Sequence, residues 1–168
     1  MDVAYEIKCV GEDEVEAVMV LEEEAFPPDE AASAERMAMR LQEANPFFLG
    51  RYEEGSTLVG YVCGTLTAHD RLDEESMASH DPQGAVLCIH SVVVAPTRRG
   101  CGVAKDMMRA YCNYIKDQHP SVKRIQLLAK EGLGPKLYGA VGFTNLGPSA
   151  VQHGEDVWYL WDLDPKVF

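Results

Sequence analysis

Apolar and polar positions alternate over Tyr5 to Val10 as in a strand, and from Gly11 onward Val15, Val18, Met19 and Leu21 recur at helical intervals. The helix runs on through Glu22-Glu23-Glu24 and stops at Phe26-Pro27-Pro28, because proline lacks the N–H that a helix interior needs. A second helix is predicted over Ser33 to Glu43, with Ala34, Met37, Ala38 and Leu41 on one face, and Asn45-Pro46 ends it. Phe47 to Tyr52 and Leu58 to Thr67 read as strands joined by Glu53-Glu54-Gly55-Ser56, which suits an antiparallel hairpin. Ala68 to Gly84 is polar and reads as a loop with a helical turn.

A long apolar run, Val86-Leu87-Cys88-Ile89 and Val92-Val93-Val94-Ala95 around His90-Ser91, predicts a buried strand that ends at Pro96. After Thr97-Arg98-Arg99-Gly100-Cys101-Gly102, a helix carries Val103, Met107, Ala110, Tyr111, Tyr114 and Ile115, and Gln118-His119-Pro120 closes it. Arg124 to Ala129 reads as another buried strand, Pro135 to Ala140 as a short helix, and Thr144 to Leu146 and Asp156 to Leu163 as two late strands. This alternation predicts one α/β domain over residues 1–168, a mixed sheet of about seven strands with flanking helices. The start of the sheet is expected to be antiparallel and its middle parallel.

Composition narrows the partners. The 168 residues are 46% hydrophobic and 25% charged, and the formal net charge is −12. That excess of acid disfavours nucleic acid and anionic membranes, and it leans towards cationic ligands such as amines. No apolar stretch approaches the roughly 20 residues needed to span a bilayer, and the N-terminus does not read as a leader, so a cytoplasmic protein is expected. Cys9, Cys63, Cys88, Cys101 and Cys112 are scattered, with no C-x-x-C pair or matching histidine spacing, so reduced thiols and no metal are expected.

The strongest local signal is Arg99-Gly100-Cys101-Gly102-Val103-Ala104 between a strand and a helix. Free N–H groups and the helix dipole favour phosphate there. A plain strand-to-helix turn with two glycines reads equally well from the residues alone. The dinucleotide pattern G-x-G-x-x-G fails at Lys105, and no P-loop pattern occurs.

With strand, loop and helix in this order, the sequence resembles the GCN5-related N-acetyltransferases, whose [QR]-x-x-G-x-[GA] pattern is met by Arg99, Gly102 and Ala104. Within them it is similar to the serotonin (arylalkylamine) N-acetyltransferase branch. That likeness rests on Arg71-Leu72-Asp73-Glu74-Glu75-Ser76, Met77-Ala78-Ser79-His80, Ile89-His90, Leu137-Tyr138, Val141-Gly142-Phe143 and Gly147-Pro148-Ser149-Ala150-Val151.

The resemblance implies acetyl-CoA as co-substrate. Val92, Val93 and Val94 would pair through their backbone with the pantetheine arm, and Arg98, Arg99, Gly100, Cys101, Gly102, Val103 and Ala104 would hold the pyrophosphate. It places Tyr138 beside the coenzyme sulfur and His90 where one histidine of a proton-accepting pair stands, with Cys88 in place of the other. The loop after Phe26 is Pro27-Pro28-Asp29-Glu30, without the longer Cys-Pro-Leu segment of the vertebrate branch. The phosphorylation segments that recruit a 14-3-3 partner have no counterpart, so no such docking is expected and the chain looks like a non-vertebrate form.

The chemistry has plain demands. A primary amine is protonated at neutral pH and must lose a proton before it attacks a thioester, for which an imidazole is suited. The thiolate expelled afterwards needs a proton, which Tyr138 carries. Read without the resemblance, His90 is a buried histidine bonded to backbone and Tyr138 a packing residue. Phe26 and Trp158 are candidates for an aromatic wall, Cys88 for a position lining the site, and Cys101 for a passenger. Glu22 to Glu24 and Asp73 to Glu75 read as a solvated face, while Glu131 is a candidate partner for a distal ammonium. The expectation is acetyl-CoA-dependent N-acetylation of a small primary amine by direct transfer, with arylalkylamines first. The alternatives are a broad diamine or polyamine acetyltransferase and a CoA-binding module without transfer.

Overall fold

A computed structural model of the chain, described over residues 3–152 and 154–168, follows this plan. The strands β1 (Tyr5–Cys9), β2 (Phe48–Glu53), β3 (Thr57–Thr67), β4 (Val86–Val94), β5 (Arg124–Lys130), β6 (Thr144–Pro148) and β7 (Trp158–Leu163) form one sheet in the order β1-β2-β3-β4-β5-β7-β6. Only β4 and β5 run parallel, joined by the long crossover through helix α3 (Val103–Gln118) that parallel pairing requires. All other neighbours are antiparallel, so the parallel middle is a single pair.

Helices α1 (Val15–Ala25) and α2 (Ala34–Glu43) cover one face of the sheet. Val18, Leu21, Met37 and Leu41 pack there against Phe48, Tyr61, Cys63 and Val93. α3 covers the other face, where Met107, Met108, Tyr111, Cys112 and Ile115 meet Leu87, Ile89, Ile125 and Leu127. Local chemistry sets the helix ends. Phe26, held extended by the following proline, ends α1, and the Ser33 hydroxyl caps α2 by accepting from the Arg36 N–H at 3.1 Å.

Two irregularities in β4 shape the middle of the sheet. β4 pairs with β5 only from Val86, opposite Arg124, to Ile89, opposite Leu127. Beyond that point β4 continues to Val94 beside β3, while β5 continues to Lys130 beside β7, so the two strands part. At the same place Cys63 pairs with Ser91 and Gly64 with Ile89, which leaves His90 as the extra residue of a bulge. A bulge bends its strand and re-aims side chains. Leu87, Ile89 and Val94 therefore join the α3-side core, whereas Ser91 and Val93 face α1 and α2.

Some expectations are corrected. The short helix is a π-turn, Pro135–Gly139, rather than an ordinary helical turn, and β7 begins at Trp158 rather than Asp156. On α2 the exposed Ala34 and Ala38 leave the buried face to Met37, Arg40 and Leu41. Among the described residues no helix is long and apolar enough to cross a membrane.

Candidate active site

Where β4 and β5 part, a cavity of about 490 Å³ opens. It brings together six residues singled out from the sequence: Phe26, His90, Val92, Glu131, Tyr138 and Trp158. Phe26 packs with the core under α1 and α2, and Tyr138 belongs to the core on the α3 side. The cavity thus passes through the sheet at the gap between its strands. An elongated ligand has access there to the polar backbone edge of β4 as well as to side chains from both faces.

His90 enters the cavity from the bulge. Its Nε2 lies 2.7 Å from the Thr65 hydroxyl oxygen, and that hydroxyl is 3.3 Å from the carbonyl of Ser76. When the hydroxyl donates to that carbonyl, it accepts from Nε2–H, and the lone pair of the ring sits on Nδ1. Ser76 is fixed in turn by Asp73, whose Oδ1 accepts from the Ser76 N–H at 2.9 Å while the Asp73 N–H donates to the Ser76 Oγ at 2.9 Å. Asp73 and Ser76 thereby order the polar loop behind His90.

Tyr138 sits in the π-turn with 6% of its surface exposed, its ring edge-on to Phe143 at 6.0 Å between centroids. Burial pushes its phenol well above the usual range, so the proton stays on the oxygen at neutral pH. The turn lies close over Trp161: a Cβ on Gly134 would run into that indole, so the approach depends on glycine.

The structure overturns two readings. Glu22 is not part of a solvated face; it is 1% exposed and lines the cavity. It shares the inward stripe of α1 with Val18 and Leu21, and its Oε1 accepts from the Tyr61 hydroxyl at 2.9 Å and from Ser91 Oγ at 2.8 Å. The spacing from Val18 to Glu22 was the available signal, masked by the two exposed glutamates that follow. Cys88 does not line the cavity. It is fully buried among Leu72, Val86, Val151 and Leu160, and burial pushes its thiol up to about 12, which keeps it an inert packing residue. Arg40, Glu30 and Lys130, which composition had not marked, also line the wall. Arg40 is 2% exposed and donates to the Met77 carbonyl at 3.2 Å, and burial lowers its pKa.

The glycine loop lies beyond the end of β4, outside the cavity wall. Gly100 and Gly102 have φ of 76° and 79°, a left-handed backbone that glycine adopts without strain, and Gly102 is the N-cap of α3. Val103 anchors the first turn in the core and Ala104 packs beside it, while the first N–H groups of a helix have no partner within it. An anionic group suits that position. Arg99 Nε donates to the Val94 carbonyl at 3.1 Å, tying the loop to β4. Arg98 Nε donates to Glu53 at 2.5 Å, and Arg51 Nε donates to the same carboxylate at 3.0 Å. Cys101 is exposed.

The sequence pattern of the acetyltransferase (GNAT) family matches residues 15–143. The chain is 30% identical over 158 residues to serotonin N-acetyltransferase of Mesocricetus auratus, covering 90% of this chain and 73% of the relative. It is 29% identical to the Macaca mulatta protein of the same name, covering 90% and 74%. The fold is similar to the loading GNATL domain of CurA from Lyngbya majuscula, with a TM-score of 0.85 over 98% of this chain and 100% of that one. Identity there is 12%, so that likeness speaks for the fold alone. The parted strands, the glycine loop and the start of α3 all fall within the matched stretch, and the chain belongs to the acetyltransferase (GNAT) family.

Proposed function

We propose that this protein transfers an acetyl group from acetyl-CoA directly to a small primary arylalkylamine. The observation that carries this reading is the convergence of His90, Tyr138 and the aromatic side chains of Phe26 and Trp158 on one cavity, at the gap between β4 and β5. The likeness to serotonin N-acetyltransferases over most of the chain supports the choice of amine.

Acetyl-CoA supplies an activated acetyl group and a thiol that leaves. The described residues fit such a co-substrate: the open edge of β4 beyond Ile89 offers backbone groups to an extended amide-bearing arm, and the glycine loop with the first turn of α3 suits a pyrophosphate. In this reading a backbone N–H of the Val92 to Val94 segment polarises the thioester carbonyl. His90 takes the proton of the ammonium, directly or through water, with its ring oriented by Thr65. The amine nitrogen then forms its bond to the acetyl carbon as the carbon–sulfur bond breaks; Tyr138 gives its phenolic proton to the sulfur, and the proton that the nitrogen sheds in becoming an amide restores the phenol. Phe26 and Trp158 hold the aromatic ring of the substrate.

The test is thiol release from acetyl-CoA with tryptamine, serotonin, phenylethylamine, putrescine, spermidine and a lysine peptide. Fastest turnover with the aromatic amines is expected. Preference for putrescine or spermidine overturns the amine class, and no release with any amine overturns acetyl transfer to amines.

A further inference from the structure

At the rim of the cavity the protein has built a receptor for an ammonium ion and filled it with its own lysine. Lys130 ends β5 opposite Trp158 on β7. Its Nζ forms ion pairs with Glu30 of the loop after α1 and with Asp156 at 3.1 Å, and it stands 5.4 Å from the centre of the Trp158 ring. Two carboxylates and an aromatic face are the elements with which proteins bind alkylammonium groups. The Glu30 side chain is only 5% exposed, so this carboxylate is committed to the site rather than to solvent. Glu30 first, then Asp156, raises the pKa of Lys130, which keeps the charge in place.

Resting on the arylalkylamine reading above, we infer that Lys130 is a specificity-determining residue: its ammonium occupies the subsite that a second cationic group of a substrate would need. The consequence runs against what the composition suggests. Glu22, Asp29, Glu30 and Glu131 line the cavity against Arg36 and Arg40, so without Lys130 the wall holds an excess of carboxylate that invites diamines. Lys130 pairs with Glu30 and Asp156 and offsets one of their two charges, stands over the Trp158 ring and repels a distal ammonium. The far end of the substrate is thus best matched by an uncharged group such as an aryl ring. Selection against the second charge uses repulsion alongside attraction for the correct partner.

The experiment compares kcat/KM for 1,5-diaminopentane with that for phenylethylamine in the native protein, in Lys130→Met, which keeps an apolar stem, and in Lys130→Arg, which keeps the charge. Thermal melting confirms that each variant is folded. The ratio of diamine to aryl amine is expected to rise about tenfold in Lys130→Met, as release of an ion pair and a cation–π contact allows, and to stay at its native value in Lys130→Arg. Calorimetric titration of 1,5-diaminopentane gives a second readout independent of turnover: binding tightens in Lys130→Met relative to the native protein. An unchanged ratio with unchanged diamine binding in folded Lys130→Met overturns the inference, as does a native protein that already prefers the diamine. If the native protein acetylates no amine, the functional reading falls, and the calorimetric comparison alone decides whether Lys130 guards a cation subsite.

Discussion

The two ends of the proposed binding path are built from different material. The coenzyme end is mostly backbone: an unpaired strand edge, two glycines with positive φ and the start of a helix, all within His90 to Ala104. The amine end is side chains drawn from distant parts of the chain, with Phe26 and Glu30 after α1, His90 on β4, Lys130 on β5, Tyr138 in the π-turn and Trp158 on β7. Backbone recognition tolerates many side chains, since any residue with the right φ and ψ presents the same N–H and C=O groups. Side-chain recognition changes with each substitution. One fold can therefore keep its coenzyme while its amine changes.

Substitutions separate the two ends. The largest effect is expected for Tyr138→Phe, which removes the phenolic proton and should lower kcat by about 10²-fold, in line with the worth of a positioned general acid. Its affinity for CoA, measured by calorimetry, should stay native; a parallel loss of CoA affinity would show that Tyr138 serves the coenzyme end by packing. His90→Gln should lower kcat/KM by about tenfold or more near neutral pH. Its deficit should shrink as the pH approaches the pKa of the amine, about 10, where unassisted free amine accumulates. A pH profile parallel to that of the native protein removes His90 as the proton acceptor.

Glu53→Gln acts on the coenzyme end alone. The Arg98 guanidinium, then Arg51, holds the Glu53 carboxyl below the usual carboxylate range. Loss of the charge frees Arg98 and should raise KM for acetyl-CoA about fivefold. The relative preference among amines should not move, and a changed preference would mean that the two ends are coupled.

The smallest effect is expected in the scaffold behind the amine end. The His80 ring accepts from the Leu66 N–H at 3.0 Å through Nδ1, and burial lowers its pKa below the ordinary value of 6.5. The neutral ring contributes fully at pH above the unfolded value. That contribution is lost as pH falls from about 6.5 towards the lower folded pKa, because the unfolded chain then binds the extra proton. Urea midpoints should therefore decline between pH 7 and pH 5, and His80→Gln should decline less over that range.

What the sequence revealed follows the same division. Arg99, Gly102 and Ala104 are contiguous with the strand before and the helix after, so spacing exposed them before any fold was known. His90 and Tyr138 came from resemblance, since a histidine in an apolar strand and a tyrosine on a short helix have ordinary packing roles. Glu22 had a local signal in its spacing from Val18, hidden by Glu23 and Glu24. Lys130 had none: its partners lie at positions 30 and 156, brought together only by the sheet order, and a lysine at a strand end is otherwise unremarkable in sequence. The π-turn and the bulge at His90 were equally invisible, because the bulge depends on pairing with β3 and the turn lies against Trp161, far along the chain.

The four paired positions between β4 and β5, Val86 to Ile89, make a short seam down the middle of the sheet. Past it, the two halves of the sheet are tied to each other through helices and loops instead of a ladder. A ligand whose amides line the β4 edge acts there as an added strand, and it stitches part of the seam. Hydrogen exchange should record this as slowing at His90 to Val94 when CoA binds, together with a higher melting temperature set by ligand concentration. Under the proposed function, the coenzyme then counts among the structural elements of the folded protein.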